Sequence, residues 1–564
     1  MPSVFTVVVC LSAVSVETWT DHDGPPELSN SARSIYEQVQ QYDDLCGTKQ
    51  RTGCNSDVAR AMLNSITSKL RELMEVGDYA GKADSLVVCH ALRLVSLAES
   101  GLDNQTAALA SGERSLVACP NDADVYYTFC KILRENGQGK RALEVCRQGS
   151  DIDPTNVMLL YAWAQGGAAR EHSHTLITRL RAALAGQLPL EERVFAHFAL
   201  SKCLHDIGDD HGKWAELHRA NALAYREHAE SNEQHRETLQ QWILGMEWSM
   251  NSEVFRLLSA RMQAQPKRSK RQRLPEQSSM ILFIVGAPRS GSTLLEMILS
   301  AHPSVRPMGE APVSLDLSNE LMSWCMNMSI TLYGKLSEMV ASREATVMNE
   351  ATIERLVSAF SARHLKELSA FARTYTQQVR QYYDNSTGTD PDAARLVFVD
   401  KTLSNYQVVP FLALLFPTAR FIYLMRDPRD VAVSMYSMKF NDGHAYSYDL
   451  KALAHFLRDA YRLMLLWQNV VPLDRTMSLQ YEQLVEDRER QTKAIIRLVG
   501  LEWDERCMFP ERVSQTKMVN TASSDQVRES VHSRSVGKWR ASKKYLTVLL
   551  DALGDLSEFG YHGD

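Results

Sequence analysis

The spacing of apolar positions changes about halfway along the chain. Residues 56–244 show the pattern of helices joined by short polar segments, whereas the part after Ser279 contains short, continuous apolar runs. Such runs are typical of strands that are buried on both faces of a parallel sheet. The runs are MILFIV (280–285), LVFVD (396–400), RFIYLM (420–425) and the weaker RTMSLQY (475–481).

Helical segments lie between these predicted strands. They cover residues 294–301, about 354–383, 406–415 and 450–468. Strands that alternate with helices predict an α/β domain with a parallel central sheet. In sheets of this kind ligands bind at the carboxyl ends of the strands. The residues that follow each apolar run are therefore the first candidates for functional chemistry.

The helical half contains an internal repeat. The residue pairs Ala108 and Ala142, Leu109 and Leu143, and Pro120 and Pro154 are each 34 residues apart. This is the period of tetratricopeptide repeats, in which each helix–turn–helix unit buries its apolar face against the next. We predict two or three degenerate repeats of this type. The alternative is an irregular helical bundle with a chance match.

These patterns divide the 564-residue chain into four parts. We predict an N-terminal segment over 1–55, an all-α, tetratricopeptide-like domain over 56–263, a basic linker over 264–279 and an α/β domain over 280–564. The linker holds five basic residues and two prolines without apolar periodicity, which is typical of a solvated connection.

The N-terminal segment leaves the compartment open. Its apolar stretch from Val4 to Val16 is too short to span a bilayer. It has the length of a signal-peptide core, but no lysine or arginine precedes it. A cleaved signal or a short anchor fits it, and a β-strand or a misassigned start fits it about as well. A cytoplasmic location is favoured, and a Golgi or secretory location is expected only if the segment acts as a signal or anchor.

Composition adds two expectations. The net charge of −6 and the pI of about 6.3 give no reason to expect nucleic-acid binding. The ten cysteines are scattered without a C-x-x-C motif, and most lie in apolar helical contexts. This favours buried, reduced thiols over a disulfide framework.

The stretch GAPRSGST (286–293) follows the first predicted strand and leads into a helix. It has the G-x-x-x-x-G spacing of a phosphate-binding loop, but Ser292 stands where nucleotide-hydrolysing loops carry lysine. Its main-chain amides, its hydroxyls and one guanidinium can hold an anion at the helix N-terminus. The residues involved are Arg289, Ser290, Gly291, Ser292 and Thr293.

The missing lysine changes the expected ligand. A triphosphate needs lysine and Mg²⁺ to neutralise its charge, whereas a sulfate ester of a nucleoside phosphate carries less charge. We therefore expect a P-loop-like site for a sulfonyl donor, without a metal. The alternative is an ordinary glycine turn before a helix.

A second strand–turn–helix segment, RFIYLMRDPRDVAVSMYSMKF (420–440), supports the anion-binding interpretation. Arg426 stands at the strand end and Ser434 follows eight residues later, so the two side chains can hold a second phosphate. Asp430 can cap the helix. The alternative is that the arginines form surface salt bridges with Asp427 or Asp430.

The two segments together carry a resemblance to a known family. PRSGSTLLEMIL (288–299) and LMRDPRDVAVSMYSM (424–438) resemble the 5′-phosphosulfate loop and the 3′-phosphate element of sulfotransferases that use 3′-phosphoadenosine-5′-phosphosulfate (PAPS). Further similarity to tyrosylprotein sulfotransferases and to bacterial tetratricopeptide-repeat sulfotransferases lies in HPSVRPMGE (302–310), VDKTLSN (399–405), LQYEQLVEDRERQ (479–491) and TASSDQVRESVHSRSVGKWR (521–540).

The resemblance implies roles for five residues. It makes Glu310 the catalytic base, Lys401 a cation that stabilises the leaving oxygen, and Tyr481 a contact of the cofactor. It places Ser523 near the sulfonate, and it makes Lys538 the residue that completes the site.

One position departs from the family pattern. The tyrosylprotein enzymes have an arginine where this chain has Met438, which is followed by Lys439. The contact of that arginine with the 3′-phosphate is therefore open in this chain, and Lys439 is the candidate to replace it.

The resemblance implies transfer of a sulfonyl group from PAPS to a hydroxyl acceptor, and it favours a protein tyrosine. A carbohydrate or a small molecule is the alternative acceptor. A kinase or other nucleotide hydrolase, and a tetratricopeptide scaffold with a non-catalytic nucleotide-binding domain, are the alternatives from other classes. An acceptor protein or peptide, recruited by the helical repeats, is the expected partner, and a homodimer is left open.

Overall fold

The chain is described by a computed structural model. The description covers residues 33–35, 37–39, 41, 64–70, 82–101, 104–167, 170–226, 236–237, 239–240, 242–247, 250–264, 280–309, 319–325, 327–328, 350–386, 396–440, 443–514 and 533–563. The chain divides into two compact units. The first unit comprises residues up to 224 together with 437–443 and 514–529, and the second comprises the rest.

The described part of the first unit is built from helices, as the sequence predicts. They are α1 (Lys82–Gly101), α2 (Gln105–Ala118), α3 (Ala123–Glu135), α4 (Gly139–Ile152), α5 (Val157–Gln165), α6 (Arg170–Ala185), α7 (Leu190–Ile207) and α8 (Asp210–Arg226). Asn104, Asp122 and Asn156 accept hydrogen bonds from the first-turn amides of the helices that follow them. These side chains satisfy amides that have no partner inside the helix, and they fix where each helix begins.

The first residues of α2 and α4, and those of α3 and α5, are each 34 positions apart. Apolar side chains of α3 to α7 share one core, with Phe129, Leu160 and Leu180 fully buried in it. The helical spacing thus follows the sequence period, and the assignment to tetratricopeptide repeats stays a prediction.

The cysteines of this unit contradict the expectation of reduced thiols. Cys130 of α3 is bonded to Cys146 of α4, and Cys89 of α1 is bonded to Cys119 at the end of α2. Sequence patterns could not show this, because the paired cysteines lie 16 and 30 residues apart and meet only when neighbouring helices pack. Cys203 in the same core is a free thiol.

The second unit has the predicted α/β architecture. Its helices are α9 (Ser252–Gln263), α10 (Ser292–Ser300), α11 (Glu350–Ala359), α12 (Ala362–Ser386), α13 (Val409–Leu415), α14 (Pro428–Tyr436), α15 (Leu450–Val470), α16 (Tyr481–Glu486), α17 (Arg488–Leu498), α18 (Pro510–Ser514) and α19 (Thr547–Leu553). Its strands are β1 (Met280–Gly286), β2 (Val305–Gly309), β3 (Val397–Asp400), β4 (Arg420–Met425) and β5 (Thr476–Gln480).

The five strands form one sheet in the order β2-β3-β1-β4-β5, and every neighbouring pair is parallel. The parallel central sheet is therefore confirmed. All five carboxyl ends lie along one edge of the sheet, as in any parallel arrangement. The loop after β1 lies at the centre of that edge.

Apolar side chains cover both faces of the sheet. Leu282 and Ile284 of β1 pack with Leu295 and Ile298 of α10 on one face. On the other face Phe283 stacks on Phe421 at 5.3 Å between ring centroids. This double burial explains why β1, β3 and β4 read as continuous apolar runs.

Strand β2 was not predicted from the sequence. It is short, and Arg306 and Pro307 interrupt its apolar pattern. It lies at an edge of the sheet, where a proline is tolerated because one side of the strand makes no ladder. Its placement matters because it brings Gly309 beside Asp400 at the end of β3.

Two predicted helices were wrong in detail. The stretch predicted at about 354–383 is divided between α11 and α12. The stretch predicted at 406–415 begins with a 3₁₀ turn over Leu403–Gln407, and α13 starts only at Val409. Pro410 explains the second difference, because proline is accommodated in the first turn of a helix but not in its interior.

Two predicted segments lie outside the described residues, namely 1–20 and nearly all of the linker 264–279. Among the residues that the structure covers, no helix is both long and apolar enough to cross a bilayer.

Replacing Cys130 and Cys146 together by serine removes the bridge between α3 and α4. We expect the free energy of unfolding of the helical unit to fall by about 3 kcal/mol, because a bridge that closes a loop of about 15 residues restricts the unfolded chain by about that amount. Thermal unfolding of the full chain, followed by circular dichroism without reductant, measures the change.

Cys203→Ser is the matched control, because Cys203 is buried in the same core and forms no bridge. It introduces a buried hydroxyl without removing a cross-link. The assignment of the bridge fails if a reductant leaves the wild-type melting curve unchanged, or if non-reducing peptide mapping finds no linked 130–146 pair.

Candidate active site

The loop after β1 adopts a backbone path that only certain residues permit. Arg289 has φ +68° and is the one non-glycine residue at positive φ in the described ranges, and Gly291 has φ +99°. A Cβ atom at Gly291 would lie 2.4 Å from Cδ2 of Tyr481, and one at Gly286 would lie 2.5 Å from the carbonyl oxygen of Leu424. Close contacts therefore require both glycines of the motif, and the positive φ is a second requirement at Gly291.

The loop ends at α10, whose first turn holds Ser292 and Thr293, both buried. Gly291 is the N-cap and has no side chain that could accept from the first-turn amides. Such amides carry partial positive charge and bind anions well. Ser290 Oγ is buried and has no hydrogen-bond partner among the described residues.

Two arginines meet beside this loop. Arg289 Nε donates to Ser434 Oγ at 3.0 Å. Arg426 donates from Nη1 to the carbonyl of Arg289 at 3.0 Å and from Nη2 to the carbonyl of Ser535 at 2.6 Å. Its guanidinium carbon lies 4.5 Å from the ring centroid of Tyr481. The predicted residues of both phosphate segments are thus brought together.

Arg426 is buried and Arg289 is partly exposed, and the two cations repel one another. Arg426 is 8% exposed. Burial, and secondly the charge of Arg426, lower the pKa of Arg289 to about 10. Arg426 Nε is buried without a hydrogen-bond partner among the described residues. Buried cations of this kind need an anion or an acceptor to offset the lost hydration.

Lys538 joins the same cluster. Burial is the largest cause that lowers the pKa of its ammonium group, and the charges of Arg426, Arg534 and Arg289 lower it further, while Asp430 raises it. Four cations therefore act on one another at this edge of the sheet. Three of them are expected from the sequence, whereas Arg534 was missed, although the quoted motif TASSDQVRESVHSRSVGKWR contains it.

Asp430 does not cap its helix, in contrast to the prediction. It lies in the first turn of α14, and its carboxylate accepts from the amides of Gly537 at 2.6 Å and Trp539 at 2.9 Å. These amides flank Lys538. Asp430 therefore fixes the backbone that carries the lysine.

The predicted alternative of a salt bridge holds for a different arginine. Arg429 forms a bidentate contact with Asp427, with Nε–Oδ1 and Nη2–Oδ2 distances of 2.9 Å, and it stacks 4.1 Å from the ring centroid of Trp539. It joins the start of α14 to the C-terminal segment. Arg426 has no such carboxylate contact among the described residues, so the two arginines have different roles.

Lys401 follows β3 and is 1% exposed. Its backbone amide donates to the carbonyl of Gly309 at 3.1 Å. Its Nζ lies 3.8 Å from Oε2 of Glu296 on α10. The ion pair of Lys401 found in the described part of the chain is thus with Glu296.

The Asp400 carboxylate accepts instead from Tyr375 Oη at 2.6 Å and from the amide of Thr402 at 2.8 Å. Both of its oxygens are therefore engaged by groups of the protein.

Two predicted catalytic residues, Glu310 and Ser523, lie outside the described residues. Glu310 directly follows Gly309 at the end of β2. Lys439 donates from Nζ to the carbonyl of Phe440 at 3.1 Å and lies 5.4 Å from the ring centroid of Phe195. Whether it replaces the arginine missing at Met438 stays a prediction.

Comparisons with known proteins find sulfotransferases similar to this chain. Residues 282–505 match the family model described as "Sulfotransferase family". An uncharacterized protein of Aquifex aeolicus is 29% identical over 438 residues, which cover 77% of this chain and 50% of that protein. Protein-tyrosine sulfotransferase 1 of Danio rerio is 28% identical over 270 residues, which cover 46% of this chain and 65% of that protein.

A solved structure, the sulfotransferase domain from the Synechococcus PCC 7002 olefin synthase, is 19% identical to this chain. The match covers 53% of this chain and 100% of the domain, at a TM-score of 0.33. The chain spans about half to two thirds of the length of the two curated relatives, 50% and 65%. The sequence matches support a sulfotransferase enzyme similar to the protein-tyrosine sulfotransferases, and they confirm the resemblance inferred from the two phosphate segments.

Gly291→Ala tests the loop geometry. We expect binding of 3′,5′-ADP, the nucleotide that PAPS leaves after losing its sulfonyl group, to weaken more than tenfold. The added Cβ meets the Tyr481 ring, and a positive φ costs a non-glycine residue about 1–3 kcal/mol. Isothermal titration calorimetry measures the affinity.

Gly208→Ala is the control, since its φ of +89° is similar and no atom of the described part of the chain lies within 4 Å of the added Cβ. It should lower stability without changing affinity. Equal affinities of the Gly291→Ala variant and the wild type would refute the proposed fit of this loop to the nucleotide.

The affinity for 3′,5′-ADP should fall as the pH rises. The pKa of Lys538 lies below its ordinary value because of burial and its cationic neighbours, so the lysine loses its proton at a lower pH than an exposed lysine does. A bound anion restores the charge, and binding above that pKa therefore takes up a proton, which costs about tenfold in affinity per pH unit.

Calorimetry at a series of pH values below the ordinary lysine pKa of about 10.4, in buffers of different ionisation enthalpy, measures the affinity and the proton uptake. Lys538→Arg should abolish the uptake, because arginine stays charged in this range. An identical pH dependence of the variant and the wild type would show that Lys538 is not the group responsible.

Proposed function

We propose that the protein transfers a sulfonyl group from PAPS to a hydroxyl acceptor, and that the acceptor is a protein tyrosine. The observation that carries the proposal is the cluster of Arg289, Arg426 and Lys538 beside a phosphate-binding loop that lacks lysine. The match of residues 282–505 to the sulfotransferase family supports it.

The residues of the site fit such a donor. Ser290 Oγ and Arg426 Nε are buried polar atoms without a hydrogen-bond partner among the described residues, and both can donate to an anionic oxygen. Arg426 and Ser434 are the proposed ligands of the 3′-phosphate. Residues 290–293 are the proposed ligands of the 5′-phosphosulfate, and Arg289, which bonds to Ser434, links the two anions.

The transfer step assigns one role to each remaining residue. Glu310 takes the proton of the acceptor hydroxyl while its oxygen attacks sulfur. The bond from sulfur to the bridging oxygen breaks, and 3′,5′-ADP leaves with the electron pair of that bond. Lys401 stabilises the negative charge that develops on the bridging oxygen. Ser523 and Lys538 complete the proposed site around the sulfonyl group and the nucleotide.

A metal-dependent nucleotide hydrolase fits the site less well. Such enzymes hold Mg²⁺ with a loop Ser or Thr and a carboxylate at a strand end. The carboxylate at the end of β3, Asp400, is engaged by Tyr375 and by the amide of Thr402. A loop without lysine suits a phosphosulfate group, which carries less charge than a triphosphate.

Similarity to protein-tyrosine sulfotransferase 1 of Danio rerio supports the tyrosine acceptor. The segment VRPMGE (305–310) and Lys401, which contain the proposed catalytic residues, lie in the motifs on which the family resemblance rests. A carbohydrate or small-molecule acceptor is the alternative to be tested, and the helical unit is the proposed site that recruits an acceptor protein.

Arg426→Ala and Glu310→Ala separate donor binding from turnover. We expect Arg426→Ala to weaken 3′,5′-ADP binding by more than tenfold, because it removes a buried charged donor worth about 1.5–3 kcal/mol. Glu310→Ala should keep the affinity and lose turnover by about 10²–10⁴-fold. Arg490→Ala removes a surface arginine whose side chain is 73% exposed and should change neither.

Turnover is measured with isotope-labelled PAPS and an equimolar mixture of tyrosine peptides, serine peptides and oligosaccharides, followed by mass spectrometry. Label on tyrosine supports both the sulfonyl transfer and the tyrosine acceptor. Label on a sugar supports the transfer and shows that the acceptor is a carbohydrate. Donor binding without any labelled product would indicate a non-catalytic nucleotide-binding scaffold. Tight binding of ATP·Mg²⁺ with no binding of 3′,5′-ADP would contradict the donor.

A further inference from the structure

A buried glutamate on the first helix of the loop links the two residues proposed to carry out the transfer. Glu296 lies on α10, four positions after Ser292, and it is 5% exposed. Its Oε1 accepts from the amide of Gly309 at 3.0 Å. Its Oε2 lies 3.8 Å from Nζ of Lys401.

These contacts close a ring between three elements. The carbonyl of Gly309 accepts from the backbone amide of Lys401 at 3.1 Å. The carboxylate of Glu296 faces the amide of Gly309 and the ammonium of Lys401. The ring therefore ties the end of β2 and the end of β3 to the helix that follows the phosphate-binding loop.

The ring acts on the proposed base through the backbone. Glu310 is the next residue after Gly309, and adjacent Cα atoms are about 3.8 Å apart. Gly309 itself has φ +66°, and among the described residues no atom lies within 4 Å of the point that a Cβ would occupy. The hydrogen bond from its amide to Glu296 is one of the contacts that hold the Gly309 backbone.

The same carboxylate acts on Lys401 through charge. A buried ammonium is unstable unless an opposite charge lies nearby. The separation of 3.8 Å exceeds the roughly 2.7–2.9 Å typical of a charge-assisted hydrogen bond. The carboxylate therefore attracts the ammonium electrostatically without forming a short hydrogen bond to it. The carboxylate therefore favours the charged form of Lys401 beside the proposed position of the leaving oxygen.

We propose that Glu296 is a positioning residue for sulfonyl transfer, which holds the backbone before Glu310 and places a negative charge beside the ammonium of Lys401. This inference rests on the proposed function, because it takes the roles of Glu310 and Lys401 from there. Glu296 itself touches neither donor nor acceptor in the proposed reaction.

Two variants separate the hydrogen bond from the charge. Glu296→Gln keeps an oxygen that can accept from Gly309 and removes the negative charge. We expect an unchanged affinity for 3′,5′-ADP and a kcat lowered by about tenfold. The basic limb of the pH–rate profile should shift to lower pH, because a lysine that loses its counter-charge releases its proton about one pH unit lower for each tenfold loss of stabilisation. Glu296→Ala removes both contacts and should lower kcat by about 10²-fold.

Glu216→Gln is the matched control. Glu216 is also buried, at 8% exposure, and it pairs with His197 and Arg219 in the helical unit. Its replacement removes a buried charge of the same kind far along the sequence from the sheet. It should leave kcat and the pH–rate profile unchanged.

Hydrogen exchange of the peptide that contains Gly309 gives a readout that does not depend on turnover. Exchange should be faster in Glu296→Ala and close to wild type in Glu296→Gln. If the wild-type protein transfers no sulfonyl group, the proposed function is contradicted. The hydrogen exchange alone then decides whether Glu296 holds the backbone at Gly309.

The inference is overturned if Glu296→Gln keeps both kcat and the wild-type pH–rate profile, or if Glu296→Ala leaves the exchange near Gly309 unchanged. If Glu296→Ala does not fold, the glutamine variant still decides the role of the charge.

Discussion

Cations that lie close together at the carboxyl edge of the sheet are the constraint on which this structure depends. Arg426 is buried, whereas Arg289 is partly exposed and Lys538 is exposed. Partial loss of water on folding, and secondly repulsion between the cations, lower the pKa of Arg289 and of Lys538. For scale, two unit charges about 4 Å apart repel by about 4 kcal/mol at an effective dielectric constant of about 20. The nearest acids do not cancel this repulsion, since Asp427 pairs with Arg429 and Asp430 binds backbone amides. An anionic ligand would do so.

The rest of the second unit keeps these cations in place against their repulsion. The Tyr461 hydroxyl bonds to both the amide and the carbonyl of Arg426. The ring of Tyr481 lies against the Arg426 guanidinium and also against Gly291. Rigid groups that are charged before the ligand arrives need no reorganisation when it binds, which is the source of most electrostatic stabilisation in active sites.

The anion site can be located from the sequence because its signals are local. The loop 286–293, Arg426 and Ser434 each follow a buried strand, and parallel strands bring their ends together. Prediction failed where a contact joins distant residues. Glu296 reads as one more polar position on a helix, and only the fold brings it to Lys401. The pairing of Cys130 with Cys146 is hidden for the same reason.

Strand β2 was missed for a different physical reason. An edge strand is buried less than a central one, so it tolerates Arg306 and Pro307 and shows no continuous apolar run. Its carboxyl end nevertheless carries the Gly309–Glu310 step. The residue that the family resemblance makes the base therefore follows the strand with the weakest signal.

The strand order explains how one sheet can hold a donor and act on it. The loop follows β1, Arg426 follows β4 and Tyr481 follows β5. Together they form the side of the site where the cations lie. Strands β2 and β3 end at Gly309 and Lys401, on the other side of the loop. Neighbouring strands are about 4.8 Å apart, so the ends of β3 and β4 flank the loop at about one strand spacing on either side.

For the proposed reaction, this order keeps the phosphates among arginines on one side and leaves the bond that breaks beside Lys401 on the other. Glu296 belongs to the helix between the two sides, and it is therefore well placed to couple the binding of the donor to the geometry of transfer.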